Sequence, residues 1–114
     1  MLPVGKESAS GLRASANQPK RISVLGATGS IGESTLDLVG RNPDDYDVVA
    51  LTGNKNVERL AELAVKHRAK LAVVADAASY KDLLLALAGT NIEVAAGPKA
   101  LLDAASRPAD WIMA

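Results

Sequence analysis

From Arg21 onward, short apolar runs alternate with stretches of helical periodicity, and the alternation does not break. The runs are "RISVLG" (21–26), "DVVALT" (47–52), "LAVVA" (71–75), "IEVAAG" (92–97) and "DWIMA" (110–114). Between them lie "SIGESTLDLVGRNP" (30–43), "NVERLAELAVKHR" (56–68), "SYKDLLLALAG" (79–89) and "PKALLDAAS" (98–106). A strand that is always followed by a helix forces parallel pairing with helical crossovers. The runs are nearly continuous in Val, Ile, Leu and Ala, as strands covered on both faces must be. The expected fold is therefore α/β, a doubly wound parallel sheet.

The helical stretches carry their own punctuation. In the first, Ile31, Thr35, Leu38 and Val39 form the apolar face, and Gly40 and Pro43 end it. In the second, Asn56 is the expected N-cap, with Leu60, Leu63, Ala64 and His67 along one stripe. Ser79 opens the third and Gly89 closes it, and Pro98 stands in the first turn of the fourth.

Composition removes several function classes. The formal net charge is zero, so no basic field invites nucleic acid or an anionic membrane. With no cysteine there is no disulfide, thiol nucleophile or thiolate metal site, which suits a cytoplasmic protein. No apolar run approaches the roughly 18 residues that span a bilayer. Aromatics are limited to Tyr46, Tyr80 and Trp111, too few for base-stacking platforms. The single histidine, His67, reads as a solvated helix end. Residues 1–20 lack the apolar core of a signal peptide and read as a mobile tail. "DWIMA" offers no turn chemistry and no cap, so the chain is expected to continue beyond Ala114, with the sheet truncated at its fifth strand.

The loop after the first strand carries the chemistry. Gly26, Gly29 and Gly32 are evenly spaced in "LGATGSIGES". In a parallel sheet, ligands sit beyond the carboxyl ends of the strands. Gly26 is free to take positive φ, Gly29 to let a ligand approach, and Gly32 to let the helix sit on the strand. The N–H groups of Thr28, Gly29, Ser30 and Ile31 are expected to point outward at the positive end of the helix dipole, a site for a pyrophosphate. The pattern is G-x-x-G-x-x-G, and Glu33 stands where a Walker loop needs lysine. The bland alternative is a turn whose glycines serve packing alone.

The second strand discriminates between dinucleotides. An NAD site places a carboxylate about 20 residues after the glycines. Here the corresponding loop is "GNKN", Gly53, Asn54, Lys55 and Asn56, with no acid. A lysine flanked by amides suits a 2′-phosphate, so the Rossmann-like fold is expected to take NADP(H) over NAD(H).

Together, "LGATGSIGESTLDLV" and "NPDDYDVVALTGNKNVERLAE" resemble the N-terminal region of the 1-deoxy-D-xylulose 5-phosphate reductoisomerase family, from about Lys20 to Ala114. The resemblance implies a cytoplasmic, homodimeric oxidoreductase of non-mevalonate isoprenoid biosynthesis. Such enzymes rearrange 1-deoxy-D-xylulose 5-phosphate and reduce the product with NADPH to 2-C-methyl-D-erythritol 4-phosphate. It implies cofactor contacts at Thr28, Gly29, Ser30, Ile31, Gly53, Asn54, Lys55 and Asn56. Family members often carry glycine at the position of Asn54, a residue that tolerates positive φ better than most. The resemblance also implies a divalent metal (Mg²⁺ or Mn²⁺) held by carboxylates in a catalytic domain, with a further C-terminal domain, both beyond residue 114. The acids present, Glu33, Asp37, Asp44, Asp45, Glu58 and Glu62, read as surface or capping groups. Residues 21–114 are then an incomplete NADPH-binding domain, inactive alone. The alternative is a non-enzymatic NADP(H)-sensing Rossmann domain.

Overall fold

A computed structural model describes residues 18–114. Most of the expected tail, residues 1–17, lies outside the described residues. Among the described residues, five strands and four helices alternate: β1 (Lys20–Val24), α1 (Ser30–Arg41), β2 (Tyr46–Gly53), α2 (Val57–Lys66), β3 (Leu71–Val74), α3 (Tyr80–Ala86), β4 (Glu93–Ala96), α4 (Pro98–Ser106) and β5 (Trp111–Met113). All strand pairs are parallel, and the sheet order is β4-β3-β2-β1-β5. The α/β reading therefore holds. From β1 to β4 the chain steps one way across the sheet. It then returns through α4 to lay β5 on the other side of β1. Because crossovers are right-handed, the reversal puts α4 on the face opposite α1–α3. The gap above β1 and β5 is the switch point where such sheets bind ligands.

Two apolar layers follow. Ile22, Val24, Val48 and Leu51 pack beneath Leu36, Val39, Leu60, Leu63, Leu83 and Leu87 of α1–α3 and the turn after α3. Val49, Ala50, Leu71 and Val73 pack against Ala104 of α4. Each fully buried Leu or Val contributes about 1.5–3 kcal/mol. One irregularity interrupts the pattern: Ile22 pairs with Val48 but Ser23 with Ala50, leaving Val49 as an extra, bulged residue. Val49 and Ala50 consequently face the same layer, where a regular strand would send neighbours to opposite sides.

Two of the three aromatic residues pack together at the start of the sheet. Trp111 lies against Tyr46 with ring centroids 6.1 Å apart, and the Lys20 ammonium sits 4.9 Å over the indole. Asp110 accepts from the Arg21 backbone N–H at 2.8 Å, fastening the start of β5 to β1. That bond holds the Asp110 carboxyl below its usual range.

Several helix details depart from expectation. On α1 the buried residues are Gly32, Leu36 and Val39, whereas Ile31 and Leu38 are 70% and 54% exposed. The helix is rotated because Gly32 must face the strand end. Gly40 does not end α1, which runs to Arg41. It makes room for the His67 ring: a Cβ there would lie 3.1 Å from His67 Cε1. His67 is accordingly a half-buried C-cap of α2 rather than a solvated end, and burial lowers its pKa below the ordinary 6.5. Ser79 does not cap α3 with its side chain. A short 3-10 turn, Ala77–Ser79, precedes it, and Asp76 accepts from Ala78 N at 3.3 Å and Ser79 Oγ at 3.0 Å. The α2 stripe of Leu60, Leu63 and Ala64 is buried as expected, and Gly89 turns the chain after α3 at φ +83°.

Candidate functional site

The site begins where β1 ends. Gly26 adopts φ +78°, a conformation open to glycine at no steric cost. Its N–H donates to Thr52 Oγ1 at 2.9 Å, and the next N–H, of Ala27, donates to Thr52 O at 2.7 Å. Thr52 is buried near the end of β2, so one residue fixes the glycine loop to the neighbouring strand. Ala27 is itself fully buried, which anchors the loop from beneath.

Gly32 is required by contact. A Cβ there would overlap Gly26 O and come within 2.7 Å of Ala27 Cα. Its absence draws the start of α1 hard against the strand end. Gly29 is the N-cap, in extended backbone, and no side chain caps the helix. The first intrahelical bond runs from Glu33 N to Gly29 O at 2.8 Å. The N–H groups of Ser30, Ile31 and Gly32 precede it and have no partner within the helix. One expected donor is turned inward: Gly29 N–H bonds Gly26 O at 3.1 Å. The outward set thus includes Ser30 and Ile31, both exposed, at the positive end of the α1 dipole. A cradle with no side chain at Gly29 and uncapped amides has the shape and polarity that a pyrophosphate requires.

The second loop lies beside the first. Gly53 is buried, and a Cβ there would lie 3.5 Å from Thr28 Cγ2 and 3.4 Å from Leu60 Cδ2. Its carbonyl accepts from Ala75 N at 2.8 Å, and that of Asn54 from Asp76 N at 3.1 Å. Asn54, Lys55 and Asn56 are exposed beyond these ties. Asn56 caps α2, its Oδ1 accepting from Arg59 N at 3.2 Å. The eight residues named from sequence therefore form two adjacent loops at the carboxyl ends of β1 and β2, with no acid in the second.

Thr52 and Arg59 escaped the sequence reading. Arg59, in the first turn of α2, bonds Glu33 of α1 and Glu62 of its own helix, the latter at 3.1 Å. The guanidinium holds the Glu33 carboxyl below its usual range, and the two carboxylates raise the arginine in turn. No motif marks either residue; only the fold brings Thr52 to Gly26 and Arg59 to Glu33. Among the described residues, no three His, Asp or Glu side chains gather as a metal site, and no helix is long and apolar enough to cross a membrane.

Comparison with known proteins identifies the family. Residues 22–114 match the sequence profile described as 1-deoxy-D-xylulose 5-phosphate reductoisomerase. The protein of that name from Zymomonas mobilis is 57% identical over 98 residues, 86% of this chain and 25% of its own length. A solved structure of the reductoisomerase from Zymomonas mobilis in complex with NADPH superposes with a TM-score of 0.84 at 58% identity, over 85% of this chain and 26% of that one. A second, in complex with NADPH, fosmidomycin and magnesium, gives 0.75 at 30% identity over 82% and 23%. The chain thus spans about a quarter of the length of the relatives it matches. Matched over more than four-fifths of its residues, the chain belongs to the 1-deoxy-D-xylulose 5-phosphate reductoisomerase family.

Proposed function

We propose that residues 21–114 form the NADPH-binding part of a reductoisomerase that converts 1-deoxy-D-xylulose 5-phosphate to 2-C-methyl-D-erythritol 4-phosphate. The observation that carries this reading is the uncapped start of α1 at the sheet's switch point, beside an acid-free loop bearing Lys55 at the end of the adjacent strand β2. Ser30 and Ile31 offer backbone N–H groups to the pyrophosphate, while Gly29 leaves room for it and Thr28 completes the loop between Gly26 and Gly29. Gly53, Asn54, Lys55 and Asn56 receive the adenosine end, with the Lys55 ammonium on the 2′-phosphate. When bound, NADPH supplies the hydride; the chain's own contribution is to hold and orient it.

The remainder of the reaction belongs to residues outside this chain. For the whole protein we propose Mg²⁺ or Mn²⁺ as the metal, a phosphorylated sugar as the substrate, a homodimer and a cytoplasmic setting; the solved relatives with magnesium and with fosmidomycin support the first two. Calorimetric titration of the full-length protein with NADPH and NADH tests the reading. NADPH is expected to bind at least tenfold more tightly. Lys55→Ala is expected to remove about tenfold of the NADPH affinity, as loss of a charged hydrogen bond implies. Equal affinity for the two cofactors would overturn it.

A further inference from the structure

Arg59 is oddly placed for a structural residue. It stands in the first turn of α2, where the helix dipole disfavours a cation. Its ion pairs are solvent-accessible, with Arg59 and Glu33 side chains 41% and 35% exposed, and such pairs stabilise little. Stability therefore does not account for it. Its position does offer another account. Glu33 directly follows Gly32, the residue pressed against Gly26, so the guanidinium reaches the first turn of α1 beside the glycine loop. Its backbone N–H is the one capped by Asn56, the last residue of the Lys55 loop. The side chain thus bridges the starts of the two helices whose loops are proposed to take the pyrophosphate and the adenosine end of the dinucleotide.

The donor inventory leaves capacity to spare. A guanidinium has five N–H donors and no acceptor. Here Nη2 serves Glu33 and Nη1 serves Glu62, and the remainder are uncommitted among the described residues. A planar fork with free donors matches a phosphate dianion better than an ammonium does.

We propose that Arg59 is a specificity-determining residue for the 2′-phosphate of NADPH, acting beside Lys55, with the Glu33 carboxylate as the anion that occupies the guanidinium when the cofactor is absent. The inference rests on the NADPH reading of the site. In this arrangement Glu33 competes with the 2′-phosphate for Arg59, and it has no such effect on a cofactor that lacks the phosphate.

The test is calorimetric titration of the full-length protein with NADPH and NADH. Arg59→Met is expected to weaken NADPH about tenfold and leave NADH within about twofold. Glu33→Gln is expected to strengthen NADPH about two- to threefold and leave NADH unchanged. The double variant is expected to keep the NADPH loss of Arg59→Met. If Arg59 only neutralised Glu33 or braced the two helices, Arg59→Met would weaken both cofactors equally, or the double variant would regain wild-type affinity; either result overturns the proposal. NADH binding in each variant confirms that the fold persists. A wild-type protein that bound neither dinucleotide would overturn the NADPH reading itself. A preference for NADPH that survived Arg59→Met in full would overturn only the role of Arg59.

Discussion

Replacing Gly32 by alanine puts the central packing contact to the test. The added Cβ would lie 2.7 Å from Ala27 Cα. Carbon atoms in contact prefer about 3.5–4.0 Å, so the start of α1 must withdraw by roughly 1 Å. Neither neighbour can yield easily, since both are backbone and Ala27 is fully buried. Forcing atoms into a packed position costs about 1–3 kcal/mol. Alanine's better helix propensity returns at most about 1 kcal/mol. With two backbone contacts under 3.0 Å the cost falls in the upper part of that range, so a net loss of about 1–2 kcal/mol is expected, which lowers the urea midpoint by roughly 0.5–1 M at a slope of about 2 kcal/mol/M. The same withdrawal lengthens every contact from the first-turn N–H groups to a pyrophosphate, and NADPH affinity should fall by at least tenfold. Gly29→Ala is the control. Its Cβ would sit 3.5 Å from Gly26 O, an ordinary contact, in extended backbone. It should keep the wild-type midpoint while losing NADPH affinity. Urea titration followed by circular dichroism, with calorimetry on the same samples, reads both effects. A Gly32→Ala protein with the wild-type midpoint would refute the packing argument.

Two further outcomes follow from the structure. Thr52→Val removes the acceptor of Gly26 N–H while keeping the shape, and should cost about 1–3 kcal/mol by urea titration; Thr52→Ser should restore most of it, and an unaffected Thr52→Val protein would refute the tie. Burial lowers the His67 pKa from 6.5, so the unfolded chain binds more protons near that value and stability falls as pH drops through it. The Cε1 proton should titrate below 6.5 by NMR, and the His67→Gln protein should lose that part of the pH dependence; titration at or above 6.5 would refute the burial.

How much of this could be read from sequence depended on what each side chain contributes to a pattern. Helix α2 was legible because Leu60, Leu63 and Ala64 make a stripe with no competitor. Helix α1 presents two arcs about one residue step apart, one through Ile31 and Leu38, the other through Gly32 and Leu36. Pattern reading favoured the first because glycine adds no hydrophobicity. The fold chose the second because the missing side chain is what allows contact. Gly40 was misread for a related reason: its purpose lies in His67, a residue on another helix. The two loops proposed to hold the cofactor could be picked out because their signals are local, glycines in one and an absent acid in the other. Thr52 and Arg59 were not, because their partners lie 26 residues away and no local signal marks the pairing.

The bulge at Val49 sets the portability of the segment that follows it. On either side of Val49, β2 keeps a regular inside–outside frame against β1, and the extra residue joins the two halves without inverting the second. Elsewhere in the strand, inserting or deleting one residue would exchange the two layers and turn Thr52 away from Gly26. At this point the strand changes length by one residue while every later side chain keeps its side. Thr52 and the loop after it therefore form a unit that can be lengthened, shortened or transplanted only with Val49 as its upstream boundary.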